Sequence, residues 1–188
     1  PVAVSMGSTA ASGGLMVAMA GHRIFANPST VTGSIGVRMD IPQIQDLMSK
    51  LGIGQETLVT APFKDAASYR KPLTPQDRAY LQGVIMDMHR QFVEIVAKGR
   101  KMTYEKAEKL ADGKIFTGQQ AMDLGLIDAM GGFDDALLWL AKQTGIPANR
   151  KLVMKPQARG GIVENLLDLF LGNDEESARL FELIREKA

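Results

Sequence analysis

The chain has 188 residues with 23% charged residues and a formal net charge of +1, which fits one compact domain and excludes a disordered chain. The basic residues are dispersed, so we expect no nucleic-acid partner. Without cysteine and with two histidines, the chain has no thiolate nucleophile and little material for a metal site or a Ser-His-Asp triad, and we expect neither metal nor cofactor.

The first forty residues predict the start of an α/β core. Residues 2–4 are typical of a strand interior, so we expect further sequence upstream of residue 1. A small-residue turn around Ser12 leads into an Ala-rich apolar run, which predicts a buried helix that begins near Ser12. Strand-like runs follow at 24–26, where the sequence Asn-Pro ends the run, and at 31–37.

The rest of the chain predicts mostly helices. Apolar residues recur at helical spacing over 41–51, residues 56–60 are a strand candidate, and a loop follows over 61–73. Thr74 and the proline after it predict a long helix to about Lys98. Further helices are expected from caps at Thr103 and Thr117, to about 112 and 125, then at 133–144, 162–171 and 175–187. Strands alternating with helices favour an α/β domain with mainly parallel pairing, and 145–188 is predicted to be a helical C-terminal extension.

Ser12 is the first candidate for catalysis. It lies between alanines and glycines at the predicted start of a helix, where backbone N–H groups lack partners. The amide of Gly13 is therefore expected to help hold the oxyanion that forms when Ser12 attacks a carbonyl. The alternative is that Ser12 only caps the helix. The pattern is not the G-x-S-x-G turn of the α/β hydrolases.

A serine nucleophile needs a base, and the sequence offers three candidates. His22 and His89 each lie beside an arginine, in positions typical of surface histidines. Lys64 lies in a stretch that is apolar apart from Asp65. Lysine acts as a base only after its pKa is lowered, and a shift of three units takes ~4 kcal/mol of desolvation or like-charge interaction. On these residues alone, Lys64 is more typical of an ordinary loop lysine.

Several segments together resemble the signal peptide peptidase A family. The similarity covers about residues 2–140 in the family's order, and motifs at compatible spacing are more specific together than any one of them. The similar segments are 5–14, 24–28, 32–36, 63–65, the helix from Thr74, 111–113, 116–121 and 125–128.

The resemblance implies a serine–lysine peptidase with an α/β fold of the Clp protease/crotonase type, built from repeated β-β-α units. In that family the serine matching Ser12 is the nucleophile and the lysine matching Lys64 is the general base. Ser34 matches the residue that hydrogen-bonds the lysine amine, which a hydroxyl can orient without adding charge. The alternative for Ser34 is a turn serine that only satisfies the backbone.

The resemblance also implies where such a protein works. Family members form membrane-anchored oligomers that cut residual signal peptides, so we expect a hydrophobic peptide substrate at the extracytoplasmic face of the cell membrane. We expect a homo-oligomer in which Lys64 lies more than about 3.5 Å from Ser12 of its own chain and approaches a neighbour's Ser12. The family's second oxyanion glycine and its membrane anchor are expected upstream, so that 1–188 is the C-terminal portion of one peptidase domain.

Two other functions stay open. A crotonase-like acyl-CoA enzyme shares the fold, but it needs an acidic base, and the sequence near Ser12 contains no carboxylate. A non-catalytic, membrane-associated assembly protein would keep the same core without using the serine. A covalent probe on Ser12 separates this last function from a peptidase.

Overall fold

The computed structural model describes residues 1–147 together with Asn149 and Val153. The helices predicted at 162–171 and 175–187, and most of the predicted extension over 145–188, lie outside the described residues. The elements in chain order are β1 (Ala3–Met6), α1 (Gly13–Ala18), β2 (Arg23–Ala26), β3 (Val31–Gly33), α2 (Gln45–Lys50), α3 (Pro75–Gly99), α4 (Tyr104–Glu108), β4 (Ile115–Thr117), α5 (Gly118–Asp123), β5 (Ala129–Met130) and α6 (Phe133–Thr144).

Within the described residues, the strands form two small sheets. Strands β1, β2 and β5 are parallel neighbours in that order, with Ala3 opposite Arg23 and Phe25 opposite Ala129. Strands β3 and β4 pair antiparallel. The sequence prediction of an α/β domain with mainly parallel pairing is therefore confirmed.

The core lies between the parallel sheet and helices α1, α3 and α5. The C-terminal half of α3 is its main helical contribution, with Phe92, Val93 and Val96 at most 2% exposed. Burying a side chain such as Phe92 contributes about 2–3 kcal/mol to stability. The first half of α3 is mostly exposed, so the core holds one end of the helix and leaves the other free to form a surface. Within the described residues, no helix is both long and apolar enough to cross a membrane.

The predicted helix caps are confirmed. Thr74 accepts the Asp77 N–H while Asp77 accepts the Thr74 N–H, which forms a capping box at the start of α3. Thr103 caps α4 and Thr117 caps α5. Gly125 follows α5 with a φ of 77°, the left-handed conformation that ends many helices. Local polar signals thus predict the helix starts well.

Four predicted elements differ from the structure. The strand predicted at 56–60 is wrong: these residues are exposed and form no strand, because none of the described strands lies beside them to pair with their N–H and C=O groups. The helix predicted at 41–51 is reduced to α2, which buries none of its residues. The helix after Ser12 is only partly buried, with Val17 75% exposed, and α4 ends at Glu108 rather than near 112.

An ion pair joins the end of α3 to the chain after α5. The guanidinium of Arg100 donates to both carboxylate oxygens of Asp128, at 2.7 and 3.0 Å, and to the Gly125 carbonyl at 2.8 Å. Asp128 also accepts the Ile24 N–H of β2 at 2.8 Å. Burial acts to raise the pKa of Asp128, but the hydrogen bonds from Arg100 and Ile24 outweigh it and lower the pKa. The carboxylate therefore stays charged, and its hydrogen bonds link β2, the end of α3 and the chain after α5.

We expect Arg100→Ala to lower the free energy of unfolding by about 2 kcal/mol, because Asp128 is left partly buried without its cation. Arg90→Ala is the matched control, since the Arg90–Asp87 pair on α3 is more than half exposed and its loss should cost less than about 1 kcal/mol. Urea unfolding at neutral pH measures both, and equal costs would contradict the prediction.

The same pair predicts a pH dependence. A carboxylate whose pKa is lowered by folding stabilises the protein above its unfolded pKa of about 3.9, and this contribution is lost as the pH falls through the folded value. The difference in stability between wild type and Arg100→Ala should therefore narrow below about pH 4.

Candidate active site

Ser12 occupies a strained turn between β1 and α1. Its φ is 52° and its ψ is −117°, and the Gly14 N–H donates to the Ala11 carbonyl at 2.9 Å. This is the geometry of a type II′ turn with Ser12 at the first central position, which normally selects glycine because a Cβ is unfavourable there. Strain of this kind costs on the order of 1–3 kcal/mol and is concentrated at functional sites. A serine held in this conformation indicates a use for its hydroxyl.

The Ser12 hydroxyl does not cap α1. The structure has no side-chain hydrogen bond at this cap, and an N-cap serine ordinarily has extended backbone angles, unlike those of Ser12. The simple capping interpretation is therefore not supported. Gly13 is exposed and is the first residue of α1, so its N–H has no acceptor one turn earlier in the helix. This places an exposed amide next to the Ser12 hydroxyl in sequence.

Strand β3 holds Ser34 beside Ser12. The Ser12 N–H donates to the Gly33 carbonyl at 2.8 Å, and the buried Thr32 hydroxyl donates to the Ala10 carbonyl at 2.7 Å. Because Ser34 directly follows Gly33, these bonds bring the backbones of the two serines together. Ser34 also has a φ of 52°, so the site contains two serines in the left-handed region of φ.

A second contact fixes the strands behind the site. A Cβ on Gly118 would lie 2.0 Å from the Asn27 carbonyl oxygen, so only glycine fits at this close approach. The Gln119 N–H donates to the Pro28 carbonyl at 3.2 Å. Two motifs that are distant in the sequence, 24–28 and 116–121, are thereby joined, and β4 from the second motif pairs with β3.

Ser12 and Ser34 both line a cavity of about 740 Å³. Two loops, 36–38 and 111–113, form part of its wall, and α3 forms another part. The α3 residues lie three and four positions apart, so that one helix face is turned toward the cavity. They are Gln82, Ile85, Met86 and His89.

The two charged side chains that line the cavity both have ion-pair partners. Arg38 pairs with Asp40 at 2.9 Å, and Asp112 pairs with Lys114 at 2.7 Å. The hydrogen bond from Lys114 lowers the pKa of Asp112 and keeps it ionised. The remaining surface that lines the cavity is polar but uncharged, apolar, or the imidazole of His89.

The two histidines have different surroundings. His22 accepts the Val2 N–H on its Nδ1 at 3.0 Å and thus supports the start of β1. His89, which the sequence places at the surface, is half-buried and lines the same cavity as Ser12. Its spacing from Ile85 places both on one helix face, but the sequence does not tell which face meets the serines.

Lys64 lies outside this cavity. Its side chain is exposed and is not among those that line the cavity. The segment around it is anchored on both sides: the Phe63 ring lies 4.9 Å from the Tyr80 ring of α3, centroid to centroid, and Asp65 accepts a hydrogen bond from Lys71 at 2.8 Å. Within one chain, the structure thus brings Ser12, Gly13 and Ser34 together and places Lys64 elsewhere.

The residues before Lys64 expose large apolar side chains, and we refer to 47–63 as the apolar segment. The exposed fractions are 56% for Leu47, 65% for Leu51, 53% for Ile53 and 89% for Leu58. Large exposed apolar groups concentrated in one segment are typical of a contact surface.

Comparison with known proteins identifies the chain's relatives. Residues 1–147 match the family model described as peptidase family S49. The chain is 41% identical over 149 residues, 79% of its length, to a Synechocystis sp. protein named as a protease. It is 39% identical over 137 residues (73%) to Protease 4 of Salmonella typhi, and 36% identical over 143 residues (76%) to an Enterococcus faecium protein named as a signal peptide peptidase, SppA.

The chain spans 54%, 22% and 42% of the lengths of these three relatives. Among solved structures, it is similar to a mutant of the 1510-N membrane-bound stomatin-specific protease in complex with a substrate peptide. That similarity has a TM-score of 0.40 and 17% identity, over 84% of this chain and 64% of the other.

Proposed function

This chain belongs to peptidase family S49, and from that membership we propose that it acts as a serine endopeptidase with Ser12 as nucleophile and Lys64 as general base. The observation that carries the proposal is the strained turn that presents Ser12 to a cavity shared with Ser34. A position that favours glycine but holds serine is best explained by chemistry at the hydroxyl.

The proposed reaction proceeds through an acyl-enzyme. The Ser12 oxygen attacks the carbonyl carbon of a peptide bond while its proton passes to the neutral amine of Lys64. The Gly13 N–H donates to the oxyanion. The C–N bond then breaks, and the leaving amine takes the proton from Lys64. A water molecule activated by the same lysine hydrolyses the ester and restores Ser12.

We propose that Lys64 serves Ser12 of a neighbouring protomer. Two observations support this: Lys64 is exposed outside the cavity of its own chain, and it directly follows the apolar segment. A neighbouring copy that covers the apolar segment would bury those side chains and exclude water from Lys64. In this arrangement Lys64 and Ser12 of one chain lie more than about 3.5 Å apart.

As substrates we propose cleaved signal peptides or other hydrophobic peptides, met at the extracytoplasmic face of the cell membrane. The name of the Enterococcus faecium relative supports this substrate class. The alternative acyl-CoA chemistry has less support, because the carboxylate on the cavity wall, Asp112, is paired with Lys114 and is poorly suited to act as a base.

A fluorophosphonate probe tests the proposed function. Treatment of the full-length protein should add the phosphonyl group to the peptide that contains Ser12, as measured by mass spectrometry of a digest. When the protein is treated with a peptide aldehyde before the probe, the digest should lack this adduct. An unlabelled Ser12 in folded, assembled protein would favour the non-catalytic assembly function instead.

We expect Ser34→Ala to lower kcat by roughly tenfold with little change in KM, because the hydroxyl orients the lysine amine and does not bind substrate. Ser29→Ala is the matched control, since Ser29 is exposed in the turn before β3. Steady-state kinetics on one peptide measure both variants. If kcat is unchanged in Ser34→Ala, Ser34 is only a turn serine.

A further inference from the structure

The segment that carries Lys64 is folded into tight turns. The Lys64 N–H donates to the Ala61 carbonyl at 3.1 Å, and the Ala66 N–H donates to the Phe63 carbonyl at 3.3 Å. Ala66 is 3% exposed, whereas Lys64 is exposed. The backbone around Lys64 is therefore held in place while its side chain stays accessible.

A chain of ion pairs joins the residue after Lys64 to α3. The Nζ atom of Lys71 lies 2.8 Å from Oδ1 of Asp65 and 3.3 Å from Oδ2 of Asp77. Asp77 is 3% exposed and forms the capping box of α3 with Thr74, so it is a fixed point of the structure. Lys71 thus ties the Asp65 carboxylate to the first turn of the helix.

This pairing bears on the protonation of Lys64. Asp65 follows Lys64 directly, with Cα atoms about 3.8 Å apart, and a free carboxylate beside an amine stabilises the protonated amine. A general base needs the neutral form instead. The hydrogen bond with Asp65 raises the pKa of Lys71, so Lys71 keeps its positive charge at neutral and mildly alkaline pH. The negative charge of Asp65 is therefore already matched by Lys71.

No other ionisable group of the described residues forms an ion pair with Asp65. The loop packs on the first turns of α3 and, through Tyr69 and Arg70, on residues 44–55. Arg70 donates to the uncharged Gln55 at 3.0 Å. The other charged side chains of these segments are exposed, as are Tyr69 and Tyr80; they are Asp46, Lys50, Glu56, Arg70 and Arg78.

We propose that Lys71 is a positioning residue for the general base: it holds the Asp65 carboxylate toward α3 and thereby lets Lys64 exist as the neutral amine that accepts the Ser12 proton. This rests on the proposed peptidase function and adds a residue on which the base depends. Lys71 itself exchanges no proton in this role.

The loop offers a matched control. Lys71→Gln removes the positive charge but keeps an amide that can donate to Asp77, so the start of α3 should still fold. Arg70→Gln removes the neighbouring positive charge, whose hydrogen-bond partner is uncharged. Lys71→Arg keeps the charge and can pair with both carboxylates. Urea unfolding of each variant checks that the fold is retained.

The test measures kcat/KM against pH for the full-length variants with one peptide. We expect Lys71→Gln to be about fivefold slower on the rising, acidic side of the profile, the size expected for two unit charges about 4 Å apart in water. The loss should disappear on the alkaline plateau, where the amine is neutral in both proteins. Arg70→Gln and Lys71→Arg should keep the wild-type profile.

A second substitution tests whether Lys71 acts through Asp65. Asp65→Asn combined with Lys71→Gln should return kcat/KM on the acidic side to within about twofold of wild type, because no carboxylate is left to stabilise the protonated amine.

The outcomes separate this proposal from the peptidase function. If fluorophosphonate labels Ser12 but Lys71→Gln is slower by the same factor at every pH, or if Asp65→Asn does not restore the rate, the role of Lys71 is wrong and the peptidase function stands. If the probe does not label wild-type Ser12, the peptidase function is wrong and the role of Lys71 with it.

Discussion

Ser12→Ala should abolish peptide cleavage by the full-length protein, with kcat/KM lower by at least about 10⁴-fold. The variant removes one oxygen atom and keeps a Cβ in the strained turn, so its stability should match that of wild type. Ser8→Ala, which changes an exposed serine in the same segment, is the control and should cleave normally. Cleavage by Ser12→Ala above one percent of the wild-type rate would remove Ser12 as the nucleophile.

Ser12→Gly gives the same loss of activity with a different effect on stability. Glycine adopts a φ of 52° and a ψ of −117° without the cost of a Cβ, whereas its greater freedom in the unfolded chain costs somewhat under ~1 kcal/mol. Relief of strain on the order of 1–3 kcal/mol should dominate, so that Ser12→Gly is inactive but unfolds at a higher urea concentration than Ser12→Ala. Equal midpoints would mean that the turn stores little strain.

Lys64→Ala should be as inactive as Ser12→Ala, and Lys64→Arg should not restore activity, because a guanidinium keeps its proton and cannot act as a base. The control is Lys106→Ala on α4, an exposed lysine that lies outside both the cavity and the apolar segment. Steady-state cleavage of one peptide by the three variants is the measurement. An active Lys64→Ala would contradict the assignment and make His89, on the cavity wall, the next base to test.

A site shared between neighbouring protomers predicts a further result with the Ser12→Ala and Lys64→Ala variants. When full-length Ser12→Ala and Lys64→Ala proteins are dissociated, mixed and reassembled, some neighbouring pairs combine an intact Ser12 with an intact Lys64. Activity should therefore reappear in the mixture although each variant alone is inactive. If the mixture stays inactive while mixed oligomers form, the two residues act within one chain.

Much of the fold follows from local signals. Thr74, Thr103 and Thr117 each begin a helix as expected, because a cap needs only the next three residues. The α/β class with mainly parallel pairing is confirmed as well. The wrong strand at 56–60 shows the limit of such reasoning, since a strand exists only where another strand pairs with it, and local propensity does not supply that neighbour.

The candidate site also has features that the local sequence predicts and features that depend on tertiary structure. The small residues around Ser12 indicated a serine beside a free amide, and the structure adds the backbone strain, which depends on the hydrogen bond to Gly33 and thus on tertiary pairing. The cavity-facing position of His89 depends on how α3 is rotated against the core, which the spacing of residues does not determine. The pairing of Lys64 with Ser12 stays a prediction from family resemblance.

The turn at Ser12 also has an evolutionary consequence. Wherever selection for cleavage is relaxed, replacement of this serine by glycine removes a conformational penalty, and some serine codons reach a glycine codon by one nucleotide change. Drift would then run toward a more stable and inactive protein rather than toward an unstable one. A glycine at the position of Ser12 in a relative would mark a lineage in which the fold outlived the reaction, and serine there would indicate that cleavage is still under selection.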